Sequence, residues 1–105
     1  TSNFMYLEPV SDIRLKENIE PETLGLNFIN ALKPVTYHMI GKERKSHGFI
    51  AQDIENLITG EKDSLKIENA DGMKGVDYMS LIAPLVKSIQ ELTAKVEILE
   101  KQLKG

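Results

Sequence analysis

The chain contains no cysteine and only two histidines. The first absence excludes a disulfide framework, thiolate metal ligands and a thiol nucleophile. His38 and His47 lack zinc-ligand spacing and no HExxH is present, so no metal site is expected. The seven glycines are scattered. None forms GxGxxG or GxxxxGKS/T, so no phosphate-cradling loop and no cofactor are expected. No apolar run approaches the roughly 18–20 residues that span a bilayer, which removes a membrane partner. A net charge of −3 gives no electrostatic footprint for nucleic acid. What remains is an ordinary globular balance, 41% apolar and 28% charged over 105 residues, which argues against disorder. One domain of this size buries about 60–70% of the surface its unfolded chain exposes. The opening TSNFMYLEPV has neither an initiator Met nor a signal pattern, so the chain is expected to be part of a longer polypeptide.

Pattern divides the chain into three unequal parts. Pro9 disfavours helix at Glu8, and an extended lead-in over residues 1–10 is expected. From Ser11 to about Asn18, Ile13 and Leu15 alternate with Asp12, Arg14 and Lys16, which predicts a short strand. Leu24, Phe28 and Leu32 then lie at helical spacing with Ile29 beside them. This predicts a helix of about three turns, stopped by Lys33-Pro34. VTYHMI (35–40) and HGFIAQ (47–52) read as strands joined through GKERKS. DIENLI places Ile54, Leu57 and Ile58 on one side of a short helix ending near Gly60. LKIEN and MKGVDY flank Ala70-Asp71-Gly72, a hairpin signal. The sum is a small α+β head of roughly four strands and two short helices.

The tail carries the strongest periodicity. Ile82, Leu85, Ile89, Leu92, Val96, Leu99 and Leu103 recur at spacings of three and four. Ile82, Ile89, Val96 and Leu103 take position a and Leu85, Leu92 and Leu99 take position d of a heptad. The e and g positions are mostly polar, so the seam is narrower than a helix lying on its own core requires. Self-association through this seam is expected, with packing on the head as the competing arrangement. β-branched residues at a with Leu at d favour two strands. Pro84, if the helix starts at Asp77 or Ser80, lies inside it and should bend or fray that end.

Few residues carry chemistry on their own. His38 reads as a core-edge histidine, and Lys42, Arg44 and Lys45 as a solvated hairpin tip. Ser11 and Lys16 are a possible nucleophile and base, provided burial lowers the lysine pKa. Five residues apart, the two face opposite sides of a strand and are about 140° apart on a helix. Either the chain turns sharply between them, or Lys16 reaches the Ser11 of a neighbouring subunit.

The ordered blocks SDIRLKENI, INALKPVTYHM, HGFIAQDIENL and VDYMSLIAPLVKSIQEL change this picture. From Ser11 to about Lys104 the chain resembles the carboxy-terminal intramolecular chaperone domain of phage tailspikes, tail fibres, neck appendages and endosialidases. SDxRLKxNI and GFIAQ are the most specific parts. The resemblance implies an α+β head followed by a long helix in a parallel trimeric coiled coil. It implies a domain that assists folding of the β-rich protein upstream and then cuts itself free. Ser11 matches the cleavage serine and Lys16 its lysine partner, with the scissile bond at Val10–Ser11. His47, immediately before GFIAQ, is the expected supporting residue. The implied trimer takes precedence over the two strands favoured by the heptad preference, because the heads also contribute contacts.

The expected organisation is therefore the end of an upstream fibre protein (1–10), a chaperone head (11–76) and a stalk helix (77–105). Its partners are its own copies and the upstream part of the same polypeptide, in the host cytoplasm during phage assembly. Three alternatives remain. The domain is a trimerisation and capping module with an inert Ser11, a plain coiled-coil interaction domain, or the related self-cleaving domain of a membrane-bound transcription factor.

Overall fold

In the computed structural model, which describes residues 10–105, a small head leads into one long carboxy-terminal helix. The lead-in expected over residues 1–10 lies almost wholly outside the described residues. The elements in order are α1 (Leu26–Ala31), β1 (Val35–His38), β2 (Lys45–Gly48), α2 (Ala51–Glu55), β3 (Ile67–Glu68), β4 (Lys74–Gly75) and α3 (Ile82–Lys104). Single 3₁₀ turns stand at Ile13–Leu15 and Tyr78–Leu81. The α+β class, with a few short strands and a long carboxy-terminal helix, agrees with the sequence pattern.

The strands form two separate antiparallel ribbons. In the first, Val35 pairs with Gly48 and His38 with Lys45. The second strand thus lies earlier than HGFIAQ suggests. Beyond Gly48 the chain turns from Ile50 into α2, whose Ala, Gln and Glu are strong helix formers. A side chain at Gly48 would overlap the Tyr78 hydroxyl, and that hydroxyl accepts the Phe49 N–H at 3.4 Å. In the second ribbon Ile67 pairs with Gly75 and Glu68 with Lys74. Gly72 closes its turn at φ +86°, donating its N–H to the Asn69 carbonyl at 2.9 Å. A left-handed residue is what an Asp-Gly turn needs. His38, expected at the core edge, is exposed opposite Lys45. The basic tip at Lys42, Arg44 and Lys45 is solvated.

The core is small. Phe28 of α1, Ile54 of α2, Ile58, Leu65 and Leu81 are buried, with Leu24, Leu32, Phe49, Leu57 and Val76 packed around them. Helix α1 is shorter than the three turns expected, and Leu32 is already extended before Lys33-Pro34. Lys74 ties the second ribbon to α2, donating to Glu68 and lying 2.9 Å from the Glu55 carboxylate.

Helix α3 decides the shape. Its 23 residues span about 35 Å. The Cα radius of gyration is 17.9 Å, against about 13 Å for a compact chain of this size. The helix meets the head through buried Pro84 and Ser88 and half-buried Glu91. The heptad residues are not part of that contact. All seven are exposed, from 45% at Leu85 to 88% at Leu103. From Leu92 onward every residue is exposed, so the last turns carry an apolar stripe that the head leaves uncovered.

Pro84 does not disrupt the helix. A 3₁₀ turn, capped by Asp77 through Ser80 N–H and Oγ at 3.3 and 2.7 Å, delays α3 until Ile82. Pro84 then falls in the first turn, where backbone N–H groups have no intrahelical partner and proline loses nothing. Its carbonyl accepts the buried Ser88 hydroxyl at 2.8 Å, so the one buried polar side chain on this face is satisfied.

Candidate active site

The Ser11–Asn18 segment is not a strand. Alternating Ile13 and Leu15 have no partner strand among the described residues, and both are exposed. Local hydrogen bonding decides the conformation instead. Asp12 is extended (φ −68°, ψ 134°) and caps the 3₁₀ turn Ile13–Leu15 by accepting the Arg14 N–H at 2.8 Å. This is the competition in which an Asx side chain draws the backbone away from a ladder. Arg14 donates from Nε and Nη2 to the two Asp12 carboxylate oxygens at 3.1 and 3.0 Å. The guanidinium holds the Asp12 carboxyl below its ordinary value through the side-chain hydrogen bonds first and the backbone one second.

The turn reverses the chain enough to bring Lys16 back over Ser11. Lys16 Nζ donates to Ser11 Oγ at 2.7 Å. The sharp turn within one chain, one of the two routes open to a serine and lysine five residues apart, is present here. Ser11 Oγ belongs to the residue directly after the Val10 carbonyl, the bond expected to be cut.

The structure brings Ser11 and Lys16 together and sets His47 apart from them. Every residue from Val10 to Thr23 is exposed in the single chain, Ser11 and Lys16 included. Pro21 and Glu22 lie beside Ala83 and Val86 of α3, but Ser11 and Lys16 stay exposed in the single chain. His47 lies elsewhere. It is exposed on β2 opposite Thr36, in a groove with Pro34, Val35, Phe49 and Tyr78 that includes neither Ser11 nor Lys16. It forms no hydrogen bond with either residue among the described residues. The Asp12–Arg14 pair was not singled out from the sequence, although a capping aspartate with an arginine two residues on was readable there.

Residues 11–62 match a peptidase family described as chaperone of endosialidase. The chain carries an endosialidase-type chaperone domain. The match opens at Ser11, so the serine of the 2.7 Å contact is the first residue of the family segment. A "Probable tail fiber protein" of Escherichia phage Phieco32 is 34% identical over 113 residues, covering 98% of this chain. The chain spans 15% of the length of that fibre protein. No solved structure gives a significant match.

Proposed function

We propose that this chaperone domain trimerises through α3, assists folding of an upstream phage fibre or tailspike protein, and is then released by its own cut at Val10–Ser11. The observation that carries the reading is the Lys16 Nζ–Ser11 Oγ contact at 2.7 Å, at the first residue of the family match. With Lys16 neutral, the same contact runs in the opposite sense, and the amine accepts the hydroxyl proton. Ser11 Oγ attacks the Val10 carbonyl carbon through a small ring of its own backbone and side-chain atoms. The C–N bond breaks, the proton on Lys16 passes to the Ser11 nitrogen, and Val10 is left as an ester on Oγ. Water opens that ester, giving a Val10 carboxylate and a new amino terminus at Ser11. Attack within one residue removes most of the entropy cost of a bimolecular encounter.

The exposed arm makes release conditional on assembly. A solvated lysine is protonated at neutral pH, whereas a desolvated one shifts toward the free amine. Neighbouring copies, or the folded upstream protein, supply the missing burial. The exposed a/d stripe supports the trimer: free helix of this length is marginal in water unless an apolar face is covered. A fast-forming stalk registers three chains whose β-rich parts fold slowly through non-local pairing. It also raises their effective concentration. Cutting then removes the helper and leaves the fibre kinetically trapped. The host cytoplasm during phage assembly is where this sequence of events belongs.

The same exposure of Lys16 favours a second reading, a trimerisation and capping module with an inert Ser11. The two separate in a time course of the full-length precursor by size exclusion and amino-terminal sequencing. Self-cleavage yields a fragment beginning at Ser11 only from the trimeric peak. A stable, uncut trimer of folded protein supports the capping module instead.

A further inference from the structure

The arm that holds Ser11 is shaped by its own residues. Every residue from Ser11 to Lys16 is exposed, so packing against the head does not set the path of this turn. An extended chain separates Cα atoms five residues apart by about 16 Å, well beyond the reach of a lysine side chain. Two backbone bonds close the turn instead: Leu15 N–H to the Asp12 carbonyl at 3.0 Å and Lys16 N–H to the Ile13 carbonyl at 3.1 Å. The Asp12 carboxylate grips both the backbone and the guanidinium of Arg14 across the same turn.

Global stability does not account for this clamp. The Arg14 side chain is 85% exposed, and exposed ion pairs add little to folding. No apolar side chain is buried beneath it. What the clamp does is local: it fixes the conformation in which Lys16 faces Ser11. We infer that Asp12 and Arg14 are positioning residues for cleavage, a forked carboxylate–guanidinium clamp holding the turn that sets Lys16 Nζ on Ser11 Oγ. The inference rests on the self-cleaving reading above. Bidentate geometry matters here because a guanidinium fork fixes orientation as a point charge does not.

The test is the cleavage rate of full-length precursor, followed by intact mass, for wild type, Asp12→Ala, Asp12→Asn and Arg14→Lys. Loss of a side-chain cap depopulates a turn by about twofold to thirtyfold, and Asp12→Ala is expected to slow cleavage by that factor. Asp12→Asn keeps an oxygen for the Arg14 N–H but loses the charge, and falls between Ala and wild type. Arg14→Lys keeps the charge but loses the fork, and also falls between them. Melting temperature and oligomeric state stay at wild-type values throughout. The pH–rate plateau drops while its midpoint stays put, because neither residue exchanges the reacting proton. Cleavage of Asp12→Ala at the wild-type rate overturns the inference, as does a fall in melting temperature that parallels the rate. If Ser11→Ala still releases the fragment, the self-cleaving reading itself fails, a result distinct from any ranking of the Asp12 variants.

Discussion

Glu91 reaches from α3 to the start of α1, where its Oε1 accepts the Leu26 backbone N–H at 2.7 Å. Helix α1 is preceded by Gly25 at its N-cap, which offers no side-chain cap of its own. A carboxylate 65 residues away supplies the missing acceptor and sits at the positive end of the short helix. A Cβ at position 25 would overlap that carboxylate, so glycine and glutamate form one device that locks the stalk to the head.

Glu91→Ala is therefore expected to destabilise the folded domain by about 1–2 kcal/mol. Gly25→Ala displaces the carboxylate and is expected to cost a similar amount. Because both changes remove the same hydrogen bond, the double variant is less destabilised than the sum. Thermal or urea unfolding of the four proteins measures this, and strict additivity would show that the two residues act separately.

Leu92→Asp tests the seam. Leu92 is 51% exposed and is not among the residues that form the head's core, so a carboxylate there is expected to leave the head folded. In a trimer it places a charge from every chain into one apolar layer, where desolvation and like-charge repulsion add. Sedimentation equilibrium is expected to show loss of the trimer, and the full-length protein to lose solubility. An unchanged oligomer with unchanged melting temperature would place the stripe against the chain's own head.

Lys74 gives a pH dependence. Glu68 first and Glu55 second raise its pKa above the ordinary lysine value of 10.5. A raised folded value means that the contribution is fully present below pH 10.5 and is lost as pH climbs through the folded value. As pH rises from neutrality, the anchoring of β3–β4 to α2 is expected to persist and then to weaken in strong alkali. Lys74→Gln removes it at any pH, and amide exchange at Asn69 and Gly72 is expected to quicken severalfold. Exchange that stays slow would assign the ribbon's order to its turn alone. Added salt weakens the effect, since the site is partly exposed.

How much of this was legible in the sequence depended on the range of the forces involved. Asp71-Gly72 announced its hairpin because a left-handed turn is a local requirement. Lys33-Pro34 bounded α1 for a similarly local reason, although the helix already stops at Ala31. The stalk stripe was readable from spacing, although the face that meets the head, through Pro84, Ser88 and Glu91, was not, since two of these three residues are polar. The Ser11–Asn18 segment misled because alternation reports a strand only when a partner strand exists. Here Asp12 offered the backbone a nearer acceptor. The Glu91 cap could not be read at all, because it joins residues far apart in the chain.

The central claim is that Ser11 cuts its own chain with Lys16 as base, and intact mass of folded full-length precursor tests it most directly. Wild type is expected to yield a fragment beginning at Ser11. Ser11→Ala is expected to remain uncut while still forming trimers. Lys16→Arg is expected to remain uncut as well, because a guanidinium keeps its proton in proteins. Release from Ser11→Ala of a fragment that begins at residue 11 would contradict the account and assign the cut to another protease.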